Sequence, residues 1–490
     1  MNVDRKRTIS MKKLIQKYKS MPVAAKCSIW FAFSGFFQKG ISLVTTPLFT
    51  RLLTTEQYGQ FSVFQSWYQI ISIFATLNLA YGVFNNGMTK YPEDRNRYVS
   101  SMQGLSSVVT LLLLCLYLPF REYINELTGL STLLMLTIFA ECLAAPALAF
   151  WSARQRYQFR YIALVSVTIG ITVISPVIGL FAVSLAEEKG IARILSAAVI
   201  NVCVGFFFYV LNVARGKKLF NKEYWMFALK FNIPLIPHYL STIVLAQSDR
   251  VMIERIVGES AVAIYSVAYT FSLVMNIVLS SINSSYVPWT YQNLKQGNVK
   301  VINKTTSLLI LGFAIFSVLP ILIAPEFMKI IAPPEYSAGV WVIPPVSASV
   351  FFMFLYHMFA NIEFYFEKNK LIMVASVVTA LINIILNALF IPVFGYVAAA
   401  YTTLVCYVFF AFAHYVLMCK ISKTYLNTKC VYNEKLIFVI SFAYIGCTAL
   451  AMSLYNLVIV RYAILLVVFV AIVIKREKVF EIVKNIKKSD

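Results

Sequence analysis

FNIPLIPHYLSTIVLAQSDRVMIERIVGESAVAIYSVAY, residues 231–269, lies across the middle of the chain. Pro234 and Pro237 open it and interrupt the backbone hydrogen bonding of an otherwise apolar helix. Asp249 and Arg250 then stand side by side inside the apolar run, and Arg255 precedes a turn at Gly258. A charge at bilayer depth costs roughly 2.5–3.5 kcal/mol on insertion scales, so such residues face a partner, a cavity or a pathway. Neighbours on a helix point about 100° apart. The reading therefore sends Arg250 toward a cavity and Asp249 toward a neighbouring helix or a bound cation.

The stretch has an echo. RLLTTEQYGQFSVF at 51–64 aligns without gaps on RIVGESAVAIYSVA at 255–268, an offset of 204 residues. Arg51 falls on Arg255, Phe61 on Tyr265 and Ser62 on Ser266. A weaker echo relates Arg160-Tyr161-Ile162 to Lys370-Leu371-Ile372, and Gly190 to Gly395. Self-similarity at half the chain length implies two related halves, a plan common among transporters; apolar sequences also match by chance.

Composition sets the class. The 490 residues are 60% hydrophobic and 13% charged, with mean hydropathy +0.74. Apolar runs near 20 residues recur, each long enough to cross a bilayer as a helix. The chain reads as an all-α polytopic membrane protein. Fourteen spans are expected near 27–49, 60–83, 99–119, 131–151, 161–185, 191–213, 232–254, 261–289, 306–324, 340–361, 371–391, 396–418, 436–454 and 456–474. These divide as a basic cytoplasmic segment 1–26, a six-helix bundle 27–213, a linker 214–231, a second bundle 232–418, two extra helices 419–474 and a basic tail 475–490. Residues 1–26 read as a surface helix or a disordered basic tail. Twelve spans with a less regular tail is the alternative, because Arg461 sits awkwardly in the last one.

The net charge of +22 raises nucleic acid as a partner, and its placement excludes that. With the N-terminus inside, inner segments hold 34 of the 43 Lys and Arg, and outer loops hold 7. That is the positive-inside pattern, and it places both termini on the cytoplasmic side. The eight cysteines form no CxxC pair and read as small apolar residues. There is no phosphate-binding Gly-x4-Gly-Lys loop and no HExxH. No metal, catalytic residue or cofactor is assigned; energy would come from an ion gradient, with proton or sodium as the coupling cation, from the membrane potential or from the substrate's own gradient.

Lys39 lies about ten residues from either end of the first span, too deep to snorkel. It is placed toward the interior, either for function or paired with Glu141 or Asp249, read as the acids well inside spans. Among three histidines, His238 beside Pro237 is the best proton-carrying candidate, packing being the bland alternative.

Four stretches carry a family resemblance: FFQKGISLVTTPLFTRLLTTEQYGQF at 36–61, SDRVMIERIVGESAVAIYSVAY at 248–269, EYSAGVWVIPPVSASVFFMFLYHMFANIEFYFEKNK at 335–370 and NIILNALFIPVFGYVAAAYTTL at 383–404. In this order they resemble the Wzx-type polysaccharide flippases of the multidrug/oligosaccharidyl-lipid/polysaccharide exporter superfamily. The resemblance implies two six-helix bundles facing each other as a V about a twofold along the membrane normal, plus two C-terminal helices. It implies flipping of an undecaprenyl-pyrophosphate-linked oligosaccharide across the bilayer, with a polysaccharide polymerase and a chain-length regulator as partners. An anionic head of that kind calls for a cationic cavity, for which Lys39, Arg250, Arg51 and Arg255 are the candidates. Asp249, Glu141 and His238 are the candidates for ion coupling or charge pairing. A cation-coupled exporter of drugs or other lipids is the alternative. A polymerase is less favoured, since the largest expected outer loop, 325–339, is too short for a catalytic domain.

Overall fold

The computed structural model describes residues 20–474. Residues 1–19 and 475–490, which hold most of the expected surface helix and the whole basic tail, lie outside the described residues. All fourteen expected spans are helical, and no strand occurs among the described residues.

The first half comprises α1 (Val23–Leu52), α2 (Thr55–Thr76), the short α3 (Val83–Lys90), α4 (Arg95–Tyr117), the short α5 (Arg121–Thr128), α6 (Thr132–Tyr157), α7 (Tyr161–Leu185) and α8 (Lys189–Gly216). A linker helix, α9 (Lys222–Asn232), leads to the second half. That half comprises α10 (Ile236–Ile256), α11 (Glu259–Thr270), α12 (Ser272–Lys295), α13 (Val299–Leu322), the short α14 (Ala324–Ile331), α15 (Ile343–Tyr365), α16 (Asn369–Phe394) and α17 (Val397–Tyr425). Two more helices follow, α18 (Glu434–Ser453) and α19 (Val458–Ile474).

Local chemistry sets the breaks. Pro234 lies in a 3₁₀ turn, Ile233–Leu235, that separates α9 from α10. Gly258 sits at φ 116°, a backbone state that side chains disfavour, and it turns the chain from α10 into α11. Thr54 and Gln57 form a capping box at the start of α2. Helices α11 and α12 form one expected span, bent by 44°.

Among the described residues nine helices are long and apolar enough to cross a membrane, or ten with the bent pair. The 30-residue α1, the 22-residue α2 and the 21-residue α10 are long enough but are not among these. They carry Gln38 and Lys39, Gln65 and Gln69, and Gln247, Asp249 and Arg250. The polar helices are the ones that meet at the seam between halves: α2 packs on α10 and α11, and α1 touches α12 and α14. At the other extreme, α15 buries 83% of its apolar window inside the second half, while α7 buries 17% and presents Ile174, Val177 and Phe181 outward.

We call the side bearing the basic connections inner. Contacts join inner segments to inner ones and outer to outer. Tyr224 Oη donates to Asp94 Oδ2 at 3.1 Å, and Asn303 Nδ2 donates to the Val431 carbonyl at 3.1 Å, all on the inner side. Arg461 meets Glu326 on the outer side.

Arg461 explains the awkward last span. It is 1% exposed, and its two terminal nitrogens reach the Glu326 carboxylate at 2.7 and 2.8 Å. Its Nη1 also donates to the Leu322 carbonyl at 2.6 Å. A bidentate pair of this kind pins α19 to the α13–α14 junction. Helix α18 packs on α13 and α15, so both extra helices attach to the second half.

Candidate functional site

The outer ends of the two halves are tied symmetrically. Arg51 closes α1 and donates from Nη2 to the Ile330 carbonyl in α14 at 3.0 Å. Arg255 closes α10 and donates from Nη2 to the Glu126 carbonyl in α5 at 2.6 Å. The donors stand 204 residues apart, and so do the acceptors. Each half thus sends the same arginine to the same short helix of the other. Between these ties, Thr55 Oγ1 lies 2.9 Å from Ser260 Oγ. A side chain at Gly59 would strike the Glu259 carbonyl, which lies 2.0 Å from where its Cβ would stand. The glycine lets α2 and α11 meet.

Below the rim, glutamines join the halves. Ser66 Oγ donates to Gln247 Oε1 at 3.1 Å, and Gln247 Nε2 donates to Gln69 Oε1 at 3.1 Å. Arg250 belongs to this seam. Its Nη1 donates to the Ala246 carbonyl at 2.9 Å and to Gln247 Oε1 at 3.4 Å, and its Nε donates to Ser266 Oγ at 3.1 Å. The guanidinium lies over the Tyr269 ring, 4.7 Å from its centroid. Helix α12 adds exposed Ser280, Ser281, Ser284 and Ser285, a polar face in contrast with the apolar outward face of α7.

Asp249 points the other way. It is 1% exposed, among α11, α16 and α17. Asn387 Nδ2 donates to its Oδ1 at 2.7 Å. Thr403 Oγ1 donates to its Oδ2 at 2.7 Å, and Tyr265 Oη at 2.5 Å. A second layer includes Asn383, whose Oδ1 accepts from Ser248 Oγ at 2.8 Å and from Asn387 Nδ2 at 3.3 Å. Thr402 Oγ1 donates to Asn387 Oδ1. Three donors stabilise this carboxylate without a counter-ion, so Arg250 is released for the seam. The side-chain oxygens of Asp249, Asn383, Asn387, Thr402 and Thr403 are hard donors, the type that alkali cations and protons favour.

Lys39 is half-buried in mid-α1, and none of the ion pairs among the described residues involves it. Glu141, 2% exposed, accepts from Asn201 Nδ2 at 3.3 Å instead. The structure thus pairs Lys39 with neither of its expected acids. Arg51 and Arg255 lie at the rim, bonded to carbonyls, rather than at depth beside Arg250. His238, at the inner start of α10, has a buried Nδ1 without a hydrogen-bond partner.

Two features escape the sequence reading. Glu141 and Asp249 are not the only deep acids: α15 runs on to Tyr365, so Glu363 lies in a helix and not a loop. It is fully buried with both oxygens 2.9 Å from His414 Nδ1. Only the helix boundary hid it, misplaced by a few residues. Arg193, at the outer start of the span expected at 191–213 and not singled out by the sequence, belongs to α8 and stacks on Phe49 and Phe61 at 4.0 and 4.5 Å. The apolar residues that follow it were its one available signal.

The fold is that of the multidrug/oligosaccharidyl-lipid/polysaccharide exporter superfamily. A lipid II flippase, MurJ, in an inward closed conformation superposes with TM-score 0.71 at 14% identity, over 92% of this chain and all of that one. A multidrug-resistance MATE transporter of the same superfamily, facing inward, gives 0.60 at 12% identity, over 81% and 99%. These neighbours share the fold of this chain. The chain belongs to the family described as polysaccharide biosynthesis protein, whose profile matches residues 24–294. An Lsg locus protein of Haemophilus influenzae is 24% identical over 377 residues, 73% of this chain and 89% of that one.

Proposed function

We propose that the protein flips an undecaprenyl-pyrophosphate-linked oligosaccharide from the cytoplasmic to the outer leaflet of the bacterial inner membrane, by alternating access between its two halves. One observation carries this reading: the deep charges are segregated. Asp249 is enclosed by Tyr265, Asn387 and Thr403, while Arg250 is turned to the seam and Lys39 stands without an acid. Cations left without carboxylate partners suit a diphosphate, with arginine offering a fork and lysine a point charge. Arg51 and Arg255 would meet the head group only as the rim opens. Asp249 would carry the coupling cation, proton or sodium, with Glu141 and His238 as further candidates. An apolar groove of about 680 Å³ between α16 and α17, lined by Leu386, Phe390, Tyr401 and Val405, gives a lipid tail a face to lie on.

The test is surface glycan measured beside folded protein. Lys39→Ala is expected to cut export sharply at normal protein abundance, with lipid-linked glycan held where an external lectin cannot reach it. Restored export on neutralising Glu141 or Asp249 in the same chain would refute the substrate role. Orientation is tested separately. Cysteines at Gln57 and Ser337 should label from outside intact cells, and those at Asn96 and Asn298 only after permeabilisation.

A further inference from the structure

The connection between α17 and α18 brings together side chains that export does not use. Cys419 lies in the last turns of α17, Cys430 in the connection and Glu434 at the start of α18. One sulfur from each cysteine and a carboxylate oxygen of Glu434 lie within 4.8 Å of one another, all half-buried. Among the described residues this is the one group of three or more His, Cys, Asp or Glu side chains so converged. The neighbours are fixed by other contacts. The Val431 carbonyl accepts from Asn303, buried Tyr432 donates from Oη to the Met358 carbonyl at 2.9 Å, and Asn433 caps α18 through Leu436 N at 3.2 Å. The backbone that carries the ligands is therefore held in place by structure that needs no metal.

We propose that Cys419, Cys430 and Glu434 bind one zinc ion, with water in the fourth position. Two thiolates select a borderline-soft ion over magnesium or calcium, and the carboxylate favours zinc over copper(I). Tetrahedral zinc spaces its ligands about 3.5–4 Å apart, so rotation of the cysteine side chains completes the site. Binding releases two thiol protons and leaves the site with one net negative charge. Lys429 already faces it, its Nζ 2.9 Å from Glu434 Oε2, which orients the carboxylate as an outer-shell partner does. The ion would clasp the end of α17 to the start of α18 and so hold the extra hairpin to the second half. The inference rests on the inner side being cytoplasmic, where thiols stay reduced.

The experiment uses the full chain in detergent, reduced and stripped with chelator, and titrates zinc alone against a chromophoric chelator. One tight zinc per chain is expected. Cobalt(II) in its place should give thiolate-to-metal absorption. Both signals should vanish in Cys419→Ser and Cys430→Ser, weaken in Glu434→Gln and persist in Cys447→Ser, a control at an exposed cysteine. Zinc should also raise the unfolding temperature of wild type, and not that of the two serine variants, as binding to the folded state alone requires. The proposal is overturned by a wild type that binds no zinc, by binding that survives loss of both cysteines, or by a 419–430 disulfide trapped in freshly alkylated membranes. The wild-type outcome decides the matter even if a variant fails to fold. Export defects in Lys39 variants leave this test untouched, so the two readings fail separately.

Discussion

Position for position, the two halves diverge where the chemistry lies. At the offset of 204, Asp249 corresponds to Thr45, Arg250 to Thr46 and Tyr265 to Phe61. At the offset of 205 that relates Gly395 to Gly190, Thr402 and Thr403 correspond to Ala197 and Ala198. Helix α7, the counterpart of α16, contains no asparagine. In return Lys39 of the first half faces Ile243 of the second in the alignment. The rim, by contrast, is conserved between halves: Arg51 and Arg255 each reach a carbonyl of the opposite half. The difference has a physical cause. A guanidinium bonded to backbone carbonyls needs no particular partner side chain, so the contact outlasts sequence drift. A buried carboxylate needs its full set of donors, and a partly satisfied one is costly. The network is therefore complete in one half and absent from the other.

The comparison is broken most directly at the charges that lack a twin. Removing a charge-assisted contact of about 1.5–3 kcal/mol should lower export about 10- to 150-fold. Lys39→Ala and Arg250→Ala are expected in that range, Lys39→Glu below detection, and Lys39→Arg with part of its activity kept. Equal export by Lys39→Ala and wild type at matched abundance would remove Lys39 from the site.

Asp249→Asn comes next. It keeps the shape of the network and removes its charge. Export should fall and, in vesicles, lose its dependence on the cation gradient that drives wild type. If collapsing each gradient in turn leaves wild type and variant equally indifferent, the second half has no coupling role.

A smaller effect is expected at the rim, where exposed bonds are worth about 0.5–1.5 kcal/mol each. Arg51→Ala and Arg255→Ala should each shift the closed-rim population by about 2- to 10-fold, by similar amounts. The readout is the yield of a disulfide between cysteines at Thr55 and Ser260, whose hydroxyls lie 2.9 Å apart. Unequal shifts would mean that the symmetry of the rim does not extend to its energetics.

The smallest concerns α19. The hydrogen bonds from Arg461 hold the Glu326 carboxyl below the ordinary carboxylate range. A depressed value means that the pair stabilises the protein above the unfolded-state value and loses this as pH falls through the folded one. Thermal unfolding of wild type should therefore weaken on acidification across that window. Glu326→Gln should start lower and lose that part of the slope. An unchanged slope would make the pair irrelevant to stability.

Much of this was legible in order along the chain. Span lengths and hydropathy located the fourteen long helical segments, though not the short helices α3, α5, α9 and α14, because crossing about 30 Å of hydrocarbon needs some 20 apolar residues wherever they fall. Pro234 and Gly258 marked breaks that the backbone enforces by itself. The match of Arg51 to Arg255 exposed the duplication. The charge pattern gave a side to each connection. What remained hidden were partners. Glu326 answers Arg461 from 135 residues away, and Asn387 and Thr403 answer Asp249 from 138 and 154. The thiols of Cys419 and Cys430, unremarkable by spacing, converge only because the connection between α17 and α18 folds back. Which segments enter the membrane is written in the chain itself, since transfer from water is set residue by residue. Tertiary structure alone decided which charges are enclosed and which stay at the seam, since a buried charge is settled by the donors that distant helices bring to it.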